Sequence, residues 1–171
     1  HLSNAAATVA EVLRDEGYAT LCAGKWHLNP GTAVSAAGPF DQWPLGRGFE
    51  RFYGFLPGET DQFNPELVRD NSYIDPPATA EDGYHLSEDL VDQLLVMVND
   101  NKGLRPDRPF FAYLPFGATH APHQAPQAYL DKYRGRYDEG WDVVRQRWFE
   151  RQVELGVIQP DTTLAPRNPG V

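Results

Sequence analysis

Twice along this chain a helical pattern runs into a short apolar segment, and each apolar segment ends in a cluster of polar, chemically capable residues. Residues 4–16 carry the first helical pattern, with Ser3 or Asn4 placed to cap it and Val9, Val12 and Leu13 spaced as a buried stripe. Gly17 follows where a left-handed residue closes a last turn. Residues 18–23, Tyr-Ala-Thr-Leu-Cys-Ala, then read as a buried strand. The second helix is predicted over 87–101. Ser87 caps it, Glu88 and Asp89 sit in its first turn, and Leu90, Val91, Leu94, Leu95 and Val98 form its apolar face. Phe110 to Leu114 follows as a second near-continuous apolar strand. Such runs suit parallel strands covered on both faces, so the predicted fold is α/β, a parallel-rich sheet flanked by helices.

Sheets of this kind hold their ligands beyond the carboxyl ends of the strands. The first strand leads into Ala23-Gly24-Lys25-Trp26-His27-Leu28. In an extended chain, residues two apart share a face, so Lys25 and His27 are expected to project together while Trp26 packs the other way. A fixed ammonium beside a proton-transferring imidazole can hold an anionic group, such as a sulfate or phosphate ester, and move protons around it. The bland alternative is a solvated lysine and a structural histidine. The second strand leads into Thr119-His120-Ala121-Pro122-His123-Gln124-Ala125-Pro126. Two polar clusters at two strand ends are expected to meet in one site. His120 and His123 also have the spacing of a metal-binding pair, but two imidazoles without convergent Cys or carboxylate ligands are a weak zinc signal, and no metal ligand is assigned.

The remaining chain is less patterned. Residues 29–82 read as mostly irregular, with a short strand near Asn71–Ile74. Residues 126–133 and 140–155 read as surface helices, the second rich in Trp141, Arg145, Arg147, Trp148 and Arg151. Its indoles are expected to pack on the body of the domain, the alternative being a cleft or anionic-glycan surface. Cys22, the single cysteine, reads as a small buried strand residue, and His85 and His1 as surface residues. Gly46 and Gly48 follow no strand and imply no nucleotide site. The net charge of −9 argues against nucleic acid as a partner, so an anionic substrate depends on a few locally placed cations. No apolar run approaches the roughly 18 residues of a membrane span.

Gly24-Lys25-Trp26-His27-Leu28, followed downstream by His120-Ala121-Pro122 and Pro126, resembles the sulfatase family of the arylsulfatase type, within the alkaline phosphatase superfamily. Thr8 to Tyr18, Pro44 to Phe55, Phe110 to Pro126, Lys132 to Asp142 and Arg145 to Gly156 extend that resemblance through nearly the whole chain. It implies a partial alkaline-phosphatase-like fold and hydrolysis of a small-molecule or carbohydrate sulfate ester. By the same resemblance, Lys25 is similar to the lysine that binds the sulfate oxygens. His27 is similar to the histidine that hydrogen-bonds the formylglycine nucleophile and helps expel sulfate. His120 is similar to the histidine near the ester oxygen that assists the leaving group; His123 itself reads as a residue that supports the site from behind or lines the substrate cleft.

The family also implies Ca²⁺ and formylglycine. Neither is expected from this segment, because Cys22 is followed by Ala23-Gly24-Lys25 and not by the Pro and Arg of Cys/Ser-x-Pro-x-Arg. The paired Asp ligands, the Asp-Asn-Gly segment and the second lysine of the family have no counterpart either. The expectation is a single partial domain over 1–171, an internal portion of a sulfatase catalytic domain with both ends missing, and inactive alone. Asn29 stands where the resemblance puts Gly, and Asn tolerates a left-handed turn. The rival readings are a phosphoesterase or phosphonate monoester hydrolase of the same superfamily, and a non-catalytic module that binds sulfated glycans.

Overall fold

The computed structural model describes residues 2–170. They form two compact units, one running to Ala125 and the other from Pro126 onward.

In the first unit, Thr8 begins the chain of events that positions the site. Its side chain accepts from the Glu11 backbone N–H while the Glu11 carboxylate accepts from the Thr8 N–H, a reciprocal cap that starts helix α1, Val9–Asp15. The helix therefore begins later than Ser3 or Asn4 would allow. It also turns a different face inward: Ala10 is buried, whereas Val9 and Val12 are 59% and 53% exposed. Small Ala10 is what permits close approach, because Gly48 passes directly over this turn and a Cβ there would lie 2.4 Å from the Glu11 nitrogen. Gly17 ends the helix as expected, with φ +88°; its N–H reaches the Arg14 carbonyl and the Tyr18 N–H the Leu13 carbonyl.

Strand β1, Ala19–Lys25, follows at once and takes the middle of the parallel part of the sheet. The sheet order is β4-β3-β2-β1-β5, with β2 at Arg51–Phe55, β3 at Leu67–Arg69, β4 at Ser72–Ile74 and β5 at Phe110–Tyr113. β2 and β5 both run parallel to β1: Leu21 pairs with Arg51 on one side and with Ala112 on the other. β3 and β4 add an antiparallel hairpin beyond β2, turned at Asp70, whose φ is +56°. Only β4 is foreseen within the stretch read as irregular; β2 and β3 are not.

Period-two alternation sorts the strands between two cores. Cys22, Phe52 and Val68 face the side of Ala10 on α1, with Trp26, Trp43 and Phe49. Leu21, Tyr53, Phe55 and Leu67 face the other side, toward Leu86, Leu90 and Met97 of helix α2, Leu86–Leu104. The sheet is thus flanked by helices, as predicted. Two details of α2 differ from prediction. His85, not Ser87, is the N-cap, its ring nitrogen accepting from the Ser87 N–H, and this places His85 in the interior at 7% exposed. Leu95 lies outside the apolar face, at 53% exposed, and Met97 inside it. The α2 side is fastened by Asp89, which is buried and accepts from the hydroxyls of Tyr53 (2.6 Å) and Tyr84 (2.9 Å).

The second unit holds helices α3, Gln127–Asp131, and α4, Trp141–Glu154, close to the predicted ranges. Within this unit Trp141 and Trp148 stay open and, together with Tyr137 and Val144, line an apolar groove.

Candidate active site

Because β2 and β5 both run parallel to β1, the carboxyl ends of the three strands open on one side of the sheet. Lys25 is the last residue of β1. Its backbone N–H donates to the Pro115 carbonyl just past β5, 2.8 Å away. Gly24 makes that approach possible, since a Cβ there would sit 2.0 Å from the Pro115 oxygen. The Lys25 side chain is half-buried, and no carboxylate pairs with it among the described residues. Trp26 turns into the α1-side core, and its indole N–H donates to the Gln42 carbonyl at 2.8 Å. That anchor holds the strand end rigid on both sides of the indole.

His27 departs from the extended geometry assumed for it. Its φ is +47°, a left-handed value uncommon outside glycine and costing about 1–3 kcal/mol, so it does not continue the i, i+2 alternation from Lys25. The surrounding chain enforces this: the Trp26 and His27 N–H groups donate to the carbonyls of Phe55 and Leu56, extending the β1–β2 pairing past the formal strand. The left-handed position in this loop therefore belongs to His27 and not to Asn29.

The third contributor is the loop after β2, residues 56–62, which the sequence reading left unassigned. Gly58 lies against the His27 ring so closely that a Cβ on it would be 2.8 Å from Cε1 and 3.0 Å from Nε2. The next residue, Glu59, places a carboxylate oxygen 3.3 Å from Nδ1 of His120. The 58–59 segment thus touches His27 through Gly58 and His120 through Glu59. Two side-chain bonds fasten the loops that carry these contacts. Gln124 donates through Nε2 to Asp61 (2.7 Å), and its Oε1 accepts from the Gln62 N–H (2.7 Å). Asp61 also accepts from the N–H groups of Phe63 and Asn64. Chiefly because of the Gln124 bond, the Asp61 carboxyl is held below the usual carboxylate range. His85 reaches the same point from beneath, 3.4 Å from the Gln124 carbonyl.

The structure therefore brings Lys25, His27 and His120 to one end of the sheet. His123 lies in the same loop as His120 but is exposed. Glu59 and Gln124 are the members that sequence reasoning missed. A Gly58-Glu59 pair, one proline after the Phe52–Leu56 run, was the available signal, obscured by the surrounding glycines and prolines.

The residues present do not fit the calcium or formylglycine implied by the resemblance. Among the described residues no three His, Cys, Asp or Glu side chains converge as a metal site. Cys22 is fully buried in β1, and desolvation pushes its thiol far above the ordinary range.

Comparison with known proteins shows the family. A family model described as Sulfatase matches residues 1–162. An uncharacterized sulfatase of Schizosaccharomyces pombe is 34% identical over 97% of this chain and 30% of its own length. The arylsulfatase of Klebsiella aerogenes is 33% identical over 95% of this chain and 34% of its own. The chain thus spans about a third of the length of these relatives. Among solved structures, Ps i-CgsB in complex with k-i-k-neocarrahexaose aligns with a TM-score of 0.58 at 22% identity, over 72% of this chain and 29% of that one. The PsFucS1 sulfatase from Pseudoalteromonas sp. aligns with a TM-score of 0.51 at 21% identity, over 76% and 29%. These neighbours establish the alkaline-phosphatase-like fold of the sulfatases. On the family match, and on the two relatives aligned over nearly all of its residues, the chain belongs to the sulfatase family.

Proposed function

We propose that the protein containing this chain hydrolyses a sulfate ester, and that Lys25, His27 and His120 are its contribution to the reacting centre. The observation that supports this is that Lys25 ends β1 with its backbone bonded to Pro115 just past β5, while the loop after β2 touches His27 through Gly58 and His120 through Glu59. The Lys25 ammonium, free of any carboxylate among the described residues, pairs with the anionic oxygens of the ester. In a chain of net charge −9 it supplies the local attraction that the overall field does not. His120 gives a proton to the leaving oxygen, where negative charge develops as the ester bond breaks. His27, against Gly58, handles a proton at the sulfate end; His123 borders the cleft. Calcium and formylglycine belong, in this reading, to parts of the protein outside these residues.

The test is turnover of p-nitrophenyl sulfate and p-nitrophenyl phosphate by the full-length protein. Sulfate turnover with losses in kcat/KM of at least about 100-fold in Lys25→Ala, His27→Ala and His120→Ala, at unchanged melting temperature, is expected. Preference for the phosphate ester would reassign the reaction, and full activity in any of the three variants would remove that residue from the centre. Residues 1–171 alone are expected to be inactive, an expectation that measurable turnover by the isolated chain overturns.

A further inference from the structure

We propose that Glu59 is a positioning residue for His120: it fixes which ring nitrogen carries the resident proton and leaves Nε2 as the nitrogen that meets the ester. The inference rests on the reading of His120 as the group that protonates the leaving oxygen. Nδ1 of His120 has two neighbours, the Glu59 carboxylate at 3.3 Å and the Ala121 carbonyl at 3.0 Å. Both are acceptors only, so the ring satisfies them by carrying its proton on Nδ1. Nε2 then has no protein partner among the described residues and is the nitrogen open to a ligand; it takes up a second proton from solvent and gives that proton to the leaving oxygen as the ester bond breaks, returning the ring to its Nδ1–H form.

Glu59 and His120 are both exposed, and an exposed ion pair alone orients little. Here the two loops are fastened immediately beside the contact. Two residues after Glu59, Asp61 is bound through Nε2 of Gln124 and through the Phe63 and Asn64 N–H groups; Thr60 accepts from the Glu66 N–H. On the other side, the His120 N–H donates to the Gly117 carbonyl, and Gln124 is the residue that ties to Asp61 and Gln62. The backbone at both ends of the contact is therefore held, and only the two side chains remain to be ordered. The neighbouring Gly58 contact with His27 sets how far the segment can shift.

The experiment compares wild type, Glu59→Gln, Glu59→Ala, His120→Ala and the Glu59→Ala/His120→Ala double variant of the full-length protein on two sulfate esters. Phenyl sulfate needs its leaving oxygen protonated; p-nitrophenyl sulfate needs this far less. Glu59→Ala is expected to lower kcat/KM by about 10-fold or more on phenyl sulfate and by less than about threefold on p-nitrophenyl sulfate. Glu59→Gln, which keeps an acceptor, is expected to fall between. Added to His120→Ala, the Glu59 change should cost nothing further, because it acts through the ring. Equal losses on both esters, or losses that add, would overturn the Glu59 role while leaving the sulfatase reading intact. If His120→Ala itself shows no dependence on the leaving group, or wild type turns over neither ester, the reading of His120 falls instead. The ring-nitrogen chemical shifts of His120 still judge the contact: an Nδ1–H form in wild type that becomes mixed in Glu59→Ala supports it, and a ring unchanged by the substitution overturns it.

Discussion

Gly58→Ala isolates the geometric claim at the centre of the site. The added methyl carbon would stand 2.8 Å from His27 Cε1, 3.0 Å from Nε2 and 3.2 Å from Nδ1, whereas ordinary contact begins at 3.4 Å. At least 0.6 Å of movement (3.4 − 2.8) must be found. The backbone of His27 is poorly placed to supply it, being held at φ +47° by its bond to the Leu56 carbonyl and by the buried Trp26 before it. The imidazole must therefore swing. A misplacement approaching 1 Å in a reacting group costs about 100-fold, so a shift of this size predicts a loss in kcat/KM of roughly 10- to 100-fold, or about 1.4–2.7 kcal/mol in the barrier. Stability should change little, since Gly58 is only half-buried and Gly→Ala at a permitted backbone conformation gains about 0.4–1 kcal/mol through the unfolded chain. The assay is kcat/KM on an aryl sulfate beside a thermal melt, repeated in a His27→Ala background. Wild-type activity in Gly58→Ala, or a loss that persists undiminished once His27 is already alanine, would refute the argument.

Three further outcomes follow from contacts elsewhere. Arg47 is buried, lies 3.3 Å from the Glu11 carboxylate and donates to the Ala6 carbonyl and Asn4 side chain; Arg47→Met strands these groups and should cost about 3 kcal/mol in a urea melt. Asp61 has its carboxyl held low, first by the Gln124 bond, so it contributes stability that is present above the unfolded value near 3.8 and is lost as pH falls through the lower folded value. Gln124→Ala should therefore move the Asp61 titration up toward the ordinary range, followed by carboxyl-carbon chemical shifts; an unmoved titration contradicts the assignment. Cys22, with its thiol pushed up by burial, should resist iodoacetamide in the native protein and react fully in denaturant.

Half of the site could be read from local pattern. Gly17, the apolar strand and the Lys25 to His27 cluster lie within one helix–strand succession, so a short window contained the whole argument. The β2 strand escaped because Gly54 interrupts its apolar run and proline and glycine crowd the flanks. That glycine is needed for packing: a Cβ there would lie 2.0 Å from the Gly24 carbonyl oxygen of the neighbouring strand. Missing β2 meant missing the loop behind it, and with it Glu59, whose partner His120 is remote in sequence. The helix faces failed for a related reason. Spacing identified α1 correctly as helical, but the inward side was chosen by where Gly48 and Arg47 come to rest, which put Ala10 inside and two valines outside. In α4 the i, i+7 indoles have the spacing of a buried stripe, yet they stand open within their own unit.

The pairing of β1 with β5 has a consequence for how the protein is made. β1 can zip to β2 as soon as Phe55 has been synthesised, but Leu21 waits for Ala112. At a translation rate of about 5–20 residues per second, that delay is roughly 5–20 seconds. Through it, the hydrogen-bonding edge of Ala19–Cys22 later paired with β5 stands open on the nascent chain. The order of synthesis thus leaves a strand that ends up buried with one unsatisfied edge until Tyr113 has been made.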